Sequence, residues 1–191
     1  MQLARSVTST LVLLLLCTVG ASSESDAQVQ TEPMRGILRI APTAYPGLPR
    51  SVSRYLQRHG YSIPQSKYST RPHNALRGRF NNDSIQDWAV LASRDGYSRI
   101  LVFWGGSAAG VTKLDRTLDS DWLQGVDGDL NWYSRGIYVV GREYILERHR
   151  RYGGPKPPPI RHEAINDVLL GKGSDVYYFD GKRWHTLQGS D

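Results

Sequence analysis

Hydrophobic and polar positions along three parts of the chain predict paired β-strands. The first predicted hairpin joins segment 87–93 to segment 98–104 through Asp95-Gly96, a dipeptide typical of tight β-turns. The second hairpin joins 136–140 to 143–146, with Gly141 supplying the positive φ of its turn, and the third joins 175–179 to 182–187 through Asp180-Gly181. These segments predict a mostly antiparallel sheet.

Two further segments have the pattern of helices. Apolar residues recur at helical spacing between Leu48 and His59, and Gly60 follows as a helix stop. A shorter helix is predicted from His162 to Leu170, after a proline-rich loop. The predicted fold class is therefore α+β, a mostly antiparallel β-sheet built from hairpins, with an N-terminal helix and one short later helix packed on it.

The N-terminus has the organisation of a secretion signal. Arg5 supplies the positive start, and the apolar stretch 11–19 is too short to span a bilayer. Small residues allow cleavage after Ala21, and a second cleavage position follows Ala27. The predicted organisation is a signal peptide over 1–21, a flexible leader over 22–36 and a single globular domain over 37–191.

The single cysteine, Cys17, lies inside this signal. Bacterial lipid attachment requires a small residue before the cysteine, and the bulky Leu16 argues against anchoring as a lipoprotein. The mature chain then has no disulfide, thiolate metal site or cysteine nucleophile. Because no later apolar run is long enough for a membrane helix, the prediction is an exported protein, periplasmic or secreted.

The chain is basic, with a formal net charge of +6 and a pI near 9.5. Removing residues 1–27 takes away one arginine and two acids, which raises the net charge to +7. Such a protein can adsorb to anionic surfaces, although net charge also serves solubility. Export argues against nucleic acid as the partner. The predicted contact residues are the basic and aromatic side chains Arg148, Arg150, Arg151, Tyr152 and Lys156, together with Trp122 and Trp132.

The segment 78–91, GRFNNDSIQDWAVL, places oxygen-bearing side chains ahead of an apolar strand. It resembles the unit of FG-GAP and VCBS-like bacterial surface repeats, in which alternating Asp and Asn side chains wrap a calcium ion. The resemblance implies that Asn81, Asp83 and Asp87 are calcium ligands, since hard cations prefer several oxygen ligands. A calcium-stabilised structural module is therefore one alternative.

Two positions depart from that repeat. Arg79 stands where the repeat has its first acidic ligand, and Ser84 stands where it has the turn glycine. Both changes weaken a cation site, because ligand charge tunes affinity. The other interpretation is a polar turn that leads into the first hairpin, with Phe80 and Trp88 packed in the core.

The order of the later motifs resembles a group of small exported bacterial proteins of unknown function. The resemblance rests on DWAVLASR at 87–94 and on the segment from His162 to the C-terminus, and it covers most of the mature chain. It implies a bacterial origin and a compact domain, and it implies no activity.

One catalytic motif is nearly present. The sequence HEAIN at 162–166 matches the zinc-protease pattern HExxH except that Asn166 replaces the second histidine. A secreted hydrolase using His162 with Glu163 or Asp167 is therefore an alternative. The leading hypothesis is a non-catalytic binding or scaffolding domain of the bacterial envelope that contacts anionic surfaces or another protein.

Overall fold

Two four-stranded antiparallel sheets form the centre of the fold in the computed structural model, which describes residues 37–67, 69–125 and 132–190. Within each sheet the strands follow chain order, and two short strand pairs, β1–β2 and β7–β8, lie outside them. The strands are β1 (Arg39–Ile40), β2 (Ile63–Pro64), β3 (Ala75–Gly78), β4 (Asp87–Arg94), β5 (Tyr97–Phe103), β6 (Thr112–Leu118), β7 (Leu123–Gln124), β8 (Trp132–Tyr133), β9 (Arg135–Val140), β10 (Ala164–Leu169), β11 (Gly173–Phe179) and β12 (Trp184–Gln188). Sheet 1 contains β3 to β6, and sheet 2 contains β9 to β12.

The predictions for the N-terminus fall outside these residues. The signal peptide over 1–21, the leader over 22–36 and Cys17 all precede Ile37, the first residue described.

The inner faces of the two sheets pack against each other. Successive side chains of a strand point to opposite faces, so Ala89 and Leu91 of β4 enter this core while Val90 and Ala92 point away from it. Sheet 2 contributes Ile137, Ile165 and Tyr177 to the same core, which also holds Phe80, Ile100, Val102, Leu114 and Tyr133.

A helix covers the outer face of each sheet. Helix α1 (Arg50–Arg58) lies within the segment 48–59 predicted to be helical, and it packs Val52 and Leu56 on sheet 1. Helix α2 (Arg142–Tyr152) packs Ile145 on sheet 2. The layer order is helix, sheet, sheet, helix, an α+β architecture dominated by antiparallel sheet. Within the described ranges, neither helix is long and apolar enough to cross a bilayer.

Two predicted hairpins are confirmed. Strands β4 and β5 pair in register through Asp95 and Gly96, which both have positive φ (53° and 76°) as a twisted two-residue turn requires. Strands β11 and β12 also pair, and the carboxylate of Asp180 accepts the backbone N–H groups of Lys182 and Arg183 in their turn.

The second predicted hairpin is wrong, because residues 142–152 form α2. Gly141 has an ordinary φ of −104° and precedes the helix instead of forming a turn. The positive φ occurs at Gly153 (78°), which ends the helix. The segment between these glycines is rich in Arg and Glu, which favour helix, and Ile145 supplies its buried contact.

The helix predicted from His162 to Leu170 is also wrong, because this segment contains strand β10. Strand β10 pairs with β9 on one side and β11 on the other, and its residues Ala164 and Ile165 enter cores on opposite faces of sheet 2. Apolar residues on both faces, interrupted by the buried Asn166 and Asp167, remove the strict alternation of a half-buried strand and leave apolar pairs four residues apart, as in a helix.

Asn74 connects the two sheets where β3 lies beside β9. Its buried side-chain amide donates to the carbonyls of Pro64 (2.7 Å) and Arg135 (3.3 Å), and its Oδ1 accepts the N–H of Ile137 (3.0 Å). The φ of 71° that allows these contacts is tolerated better by asparagine than by most residues.

Candidate binding pocket

The first residue of β9, Arg135, is buried between the two sheets with no exposed surface. Its guanidinium faces Asp167 on β10 in a two-pronged ion pair, in which Nε donates to Oδ1 (2.9 Å) and one terminal nitrogen donates to Oδ2 (2.6 Å). A buried charge requires such a partner because removal from water is otherwise costly.

Every N–H group of this guanidinium has an acceptor. Besides the two bonds to Asp167, Arg135 donates to Ser98 and Thr117 through one terminal nitrogen and to Asp115 through the other, each at 2.9 Å. These five bonds equal the number of donors that arginine has. The Trp122 ring lies 4.1 Å from the guanidinium carbon. Arg135 therefore ties three strands and Trp122 into one network.

The charges in this network are coupled. Burial alone would lower the pKa of Arg135, but the hydrogen bonds and charge of Asp167 outweigh burial and raise it. Burial likewise raises the pKa of Asp167, while Arg135 opposes this shift. Because the two-pronged bond requires both charges, we describe the pair as an arginine cation and an aspartate anion.

A cavity of about 650 Å³ opens beside this ion pair. It lies between the end of β6 with the Asp121–Trp122 turn on one side and strands β10 to β12 on the other. Its volume is within the range of small-molecule sites. The polar groups lining it come from Thr117, Asp121, Asp167, Lys172, Ser174, Asp175, Thr186, Gln188 and Ser190, and the apolar ones from Trp122, Leu169 and Leu187.

Two exposed carboxylates of the cavity form no bonds with the described part of the chain. Asp121 and Asp175 make no ion pair or side-chain hydrogen bond within residues 37–67, 69–125 and 132–190. Asp175 lies directly opposite Asp167 in the β10–β11 pairing. Burial and the charge of nearby Asp115 raise the pKa of the Asp175 carboxyl. The cavity therefore offers two acceptors and negative charge to a ligand.

The arrangement is suited to binding more than to proton transfer. Both oxygens of Asp167 are occupied by Arg135, so this carboxylate is not free to act as a base. Trp122 adds an apolar surface beside hydroxyl, amide and carboxylate groups. Such a mixture can hold a hydroxyl-rich ligand, and the unpaired aspartates favour one that carries an amine.

The residues predicted for a hydrolase do not come together. Asp167 faces the inner side of sheet 2, whereas the ring of His162 stacks on Tyr178, whose side chain belongs to the core under α2. Glu163 instead binds the 78–91 loop, because its carboxylate accepts the N–H of Arg79 (2.7 Å). The three candidates therefore serve three different environments.

The side-chain oxygens of two predicted calcium ligands, Asn81 and Asp83, bind groups of their own loop. They accept the backbone N–H groups of Asp83 and Ile85, which folds residues 81–85 into a tight turn. Ser84 has a left-handed φ (64°), a conformation that glycine adopts more easily. Within the described part of the chain, no group of three or more His, Cys, Asp or Glu side chains could hold a metal. Calcium binding stays a prediction.

Asp87 is fully buried and closes the loop. Its Oδ2 accepts the N–H of Phe80 (3.0 Å), and its Oδ1 accepts the N–H of Gly105 (2.8 Å). Burial raises the pKa of this carboxyl, and the two N–H bonds oppose the shift. The aromatic ring of Phe80 is buried in the core between the sheets.

We expect Asp87→Asn to lower the free energy of unfolding by about 1–3 kcal/mol, because an amide has one oxygen and would leave one buried N–H unpaired. Urea denaturation would measure the change. Asp83→Asn, at an exposed position, is the matched control and should change stability by less than about 0.5 kcal/mol. A calcium-dependent rise in melting temperature that Asp83→Asn abolishes would instead support the calcium site.

The predicted basic contact residues lie at the end of α2 and in the loop that follows it. Arg148 and Arg151 place their guanidinium groups over the ring of Tyr152, at 5.9 Å and 5.3 Å. Arg150 and Lys156 are exposed. Cations at a helix C-terminus also interact favourably with the helix dipole.

The two predicted tryptophans have different surroundings. Trp122 lines the cavity and donates its indole N–H to Thr117 (2.7 Å). Trp132 lies in β8 under the ammonium group of Lys67, which is 4.8 Å from the ring centroid. The cavity is therefore lined by one predicted contact residue, Trp122, and by one hydrolase candidate, Asp167.

Sequence reasoning missed Arg135 and Asp175. A detectable signal exists in each case, because each residue shares an alternating strand face with apolar neighbours, Ile137 for Arg135 and Tyr177 for Asp175. Charged residues on the inward face of a strand require partners, and the pairing of Arg135 with Asp167 meets this requirement.

Comparison of the chain with protein-family models, with curated proteins and with solved structures finds no match.

Proposed function

We propose that the mature chain is an exported, non-catalytic binding domain whose cavity beside Asp167 holds a hydroxyl-rich, amine-bearing ligand such as an amino-sugar oligomer. The observation that carries this proposal is the pair of unbonded carboxylates, Asp121 and Asp175, in a cavity of a chain whose formal net charge is +6. Arg135 balances Asp167 and Lys172 balances one of the other two carboxylates, so a net negative charge remains in the cavity to attract a cationic group.

Three further features support the proposal. Trp122 provides an apolar face of the kind on which sugar rings pack, and its position is fixed by Thr117 and Arg135. Serine and threonine hydroxyls at the rim can bind sugar hydroxyls. The buried ion pair beneath the cavity holds its walls in place, as a preformed site requires.

Titration of the protein with three short oligosaccharides tests the proposal. Calorimetry should give tighter binding for a glucosamine oligomer than for its N-acetylated form, and Asp175→Asn should leave binding of a galacturonate oligomer unchanged. Asp175→Asn should weaken binding of the glucosamine oligomer about tenfold, the effect of losing one charge-assisted contact of about 1.4 kcal/mol. Asp95→Asn, which removes a charge outside the cavity, should leave it unchanged.

Binding of the amine should also depend on pH. Since the pKa of Asp175 lies above its ordinary value of 3.8, its carboxylate becomes protonated at a higher pH than an ordinary aspartate. Affinity for the glucosamine oligomer should therefore fall on acidification before an unshifted aspartate would titrate. Equal affinity for the amine and the acetylated oligomer at all pH values would contradict the proposal.

A further inference from the structure

Helix α1 carries a row of arginines along its exposed side. Arg50, Arg54 and Arg58 are spaced four residues apart, about 6 Å along the helix axis at each step. All three are exposed, and none forms an ion pair or side-chain hydrogen bond with any residue that the structure describes. The helix contains no acidic residue. Like charges at this spacing lower the stability of a helix, and no ion pair with a described residue compensates for this loss.

The arginine row continues into a groove. Two adjoining cavities of about 350 and 360 Å³ share Tyr45 in their walls. The first is lined by Arg50 and Arg54, and the second by two more arginines, Arg71 and Arg77. Among the residues that the structure describes, no acidic one lines either cavity. We call these two cavities the α1 groove.

Aromatic and neutral polar groups lie between the arginines of the α1 groove. Tyr45 joins the two cavities and is held by a bond from its hydroxyl to the carbonyl of Ala75 (3.3 Å). Trp88 lines the second cavity, with the Arg77 guanidinium 6.0 Å from its ring. Ser53 and Gln57 line the first cavity, with no carboxylate beside them.

We propose that the α1 groove binds a linear anionic glycan, with uronate carboxylates on its arginines and sugar rings against Tyr45 and Trp88. The guanidinium fork matches a carboxylate in two-pronged geometry. Neutral side chains between the arginines can accept and donate hydrogen bonds with sugar hydroxyls. No residue lines both the α1 groove and the cavity beside Asp167, so this inference does not depend on the ligand proposed for that cavity.

Two other polyanions fit the groove less well. A bilayer surface is usually entered by exposed apolar side chains of a helix, and the exposed residues of α1 are Arg50, Ser51, Arg54, Gln57 and Arg58. Single-stranded nucleic acid uses the same combination of cations and aromatic rings. The predicted signal peptide places the chain where glycans, and not nucleic acid, are the abundant polymers.

Binding of a galacturonate oligomer at 0.15 M NaCl, measured by calorimetry, tests this inference. The triple variant Arg50→Gln, Arg54→Gln, Arg77→Gln should bind at least tenfold more weakly than the unchanged chain. The matched control is Lys113→Gln, Arg142→Gln, Lys182→Gln, three exposed positions outside the α1 groove, which removes the same charge and should change affinity less than twofold. Because the three α1-groove arginines are exposed, the triple variant should keep its melting temperature, which shows that it is folded.

Three results would overturn the inference. Equal weakening by the control variant would show that the loss follows total charge and not the α1 groove. Unchanged binding by the α1-groove variant would exclude the groove. Binding of single-stranded DNA or of phosphatidylglycerol vesicles without binding of the galacturonate oligomer would exclude the glycan. If the glucosamine experiment at the Asp167 cavity fails, these three results still test the α1 groove, because the two sites share no residue.

Discussion

Replacing Arg135 with methionine is expected to lower the free energy of unfolding by about 3–5 kcal/mol at pH 7, the usual cost of removing one partner from a buried ion pair. The substitution leaves the carboxylate of Asp167 buried without its two donors, and it removes one donor each from Ser98 and Asp115. Urea denaturation followed by tryptophan fluorescence would measure the loss.

The pH dependence of this loss separates a charge effect from a packing effect. Without Arg135, Asp167 keeps the burial that raises its pKa and loses the partner that opposes the shift. A raised folded-state pKa makes the folded state relatively more stable at low pH, so the defect should shrink as pH falls through that pKa. Replacing both residues, Arg135→Met with Asp167→Leu, should recover much of the stability at pH 7. A loss below about 1 kcal/mol for the single variant would show that the pair does not stabilise the sheet packing.

The second large effect is expected at Asn74. Asn74→Ala should destabilise the chain by about 3 kcal/mol, since the N–H of Ile137 loses its acceptor and the carbonyls of Pro64 and Arg135 each lose one donor. Alanine at a φ of 71° adds a steric cost of about 1–2 kcal/mol. Denaturation midpoints and amide exchange at Ile137 would measure both consequences.

Asn74→Gly is the matched variant, because glycine accepts the positive φ but cannot make the three bonds. It should be less destabilised than Asn74→Ala, and both should lose exchange protection at Ile137. Protection that persists in both variants would show that the N–H of Ile137 does not depend on Asn74.

The sequence predicts those elements whose signals are local. Asp95-Gly96 and Asp180-Gly181 identify two hairpins, because a tight turn between alternating strands is encoded by adjacent residues. Gly141 gives the same apparent signal, yet its φ is −104° and it precedes a helix. A single glycine between apolar segments does not distinguish a hairpin turn from a helix start. Residues 142–152 are a helix because Ile145 packs on sheet 2, and this tertiary contact is not visible in the local sequence.

The cavity could not be predicted in the same way. Its walls combine Thr117 and Trp122 with residues near the C-terminus, such as Asp175 and Ser190, and these meet only because one sheet packs on the other. The helix predicted over residues 162–170 would place HEAIN on one element, as the zinc-protease motif requires. The structure has a strand over Ala164–Leu169 instead, with His162 ahead of it on the ring of Tyr178, so a motif assigned to the wrong element predicts the wrong chemistry.

The strand order of the two sheets also has a kinetic consequence. Each sheet is a meander of consecutive strands, sheet 1 from residues 75–118 and sheet 2 from residues 135–188, so most strand pairing is short in sequence separation. Short-range pairing favours rapid folding. During synthesis from the N-terminus, all strands of sheet 1 are made before the first residue of sheet 2, Arg135. Until sheet 2 is made, the inner apolar face of sheet 1 is exposed. A chaperone that binds this face during that interval would protect the chain from aggregation.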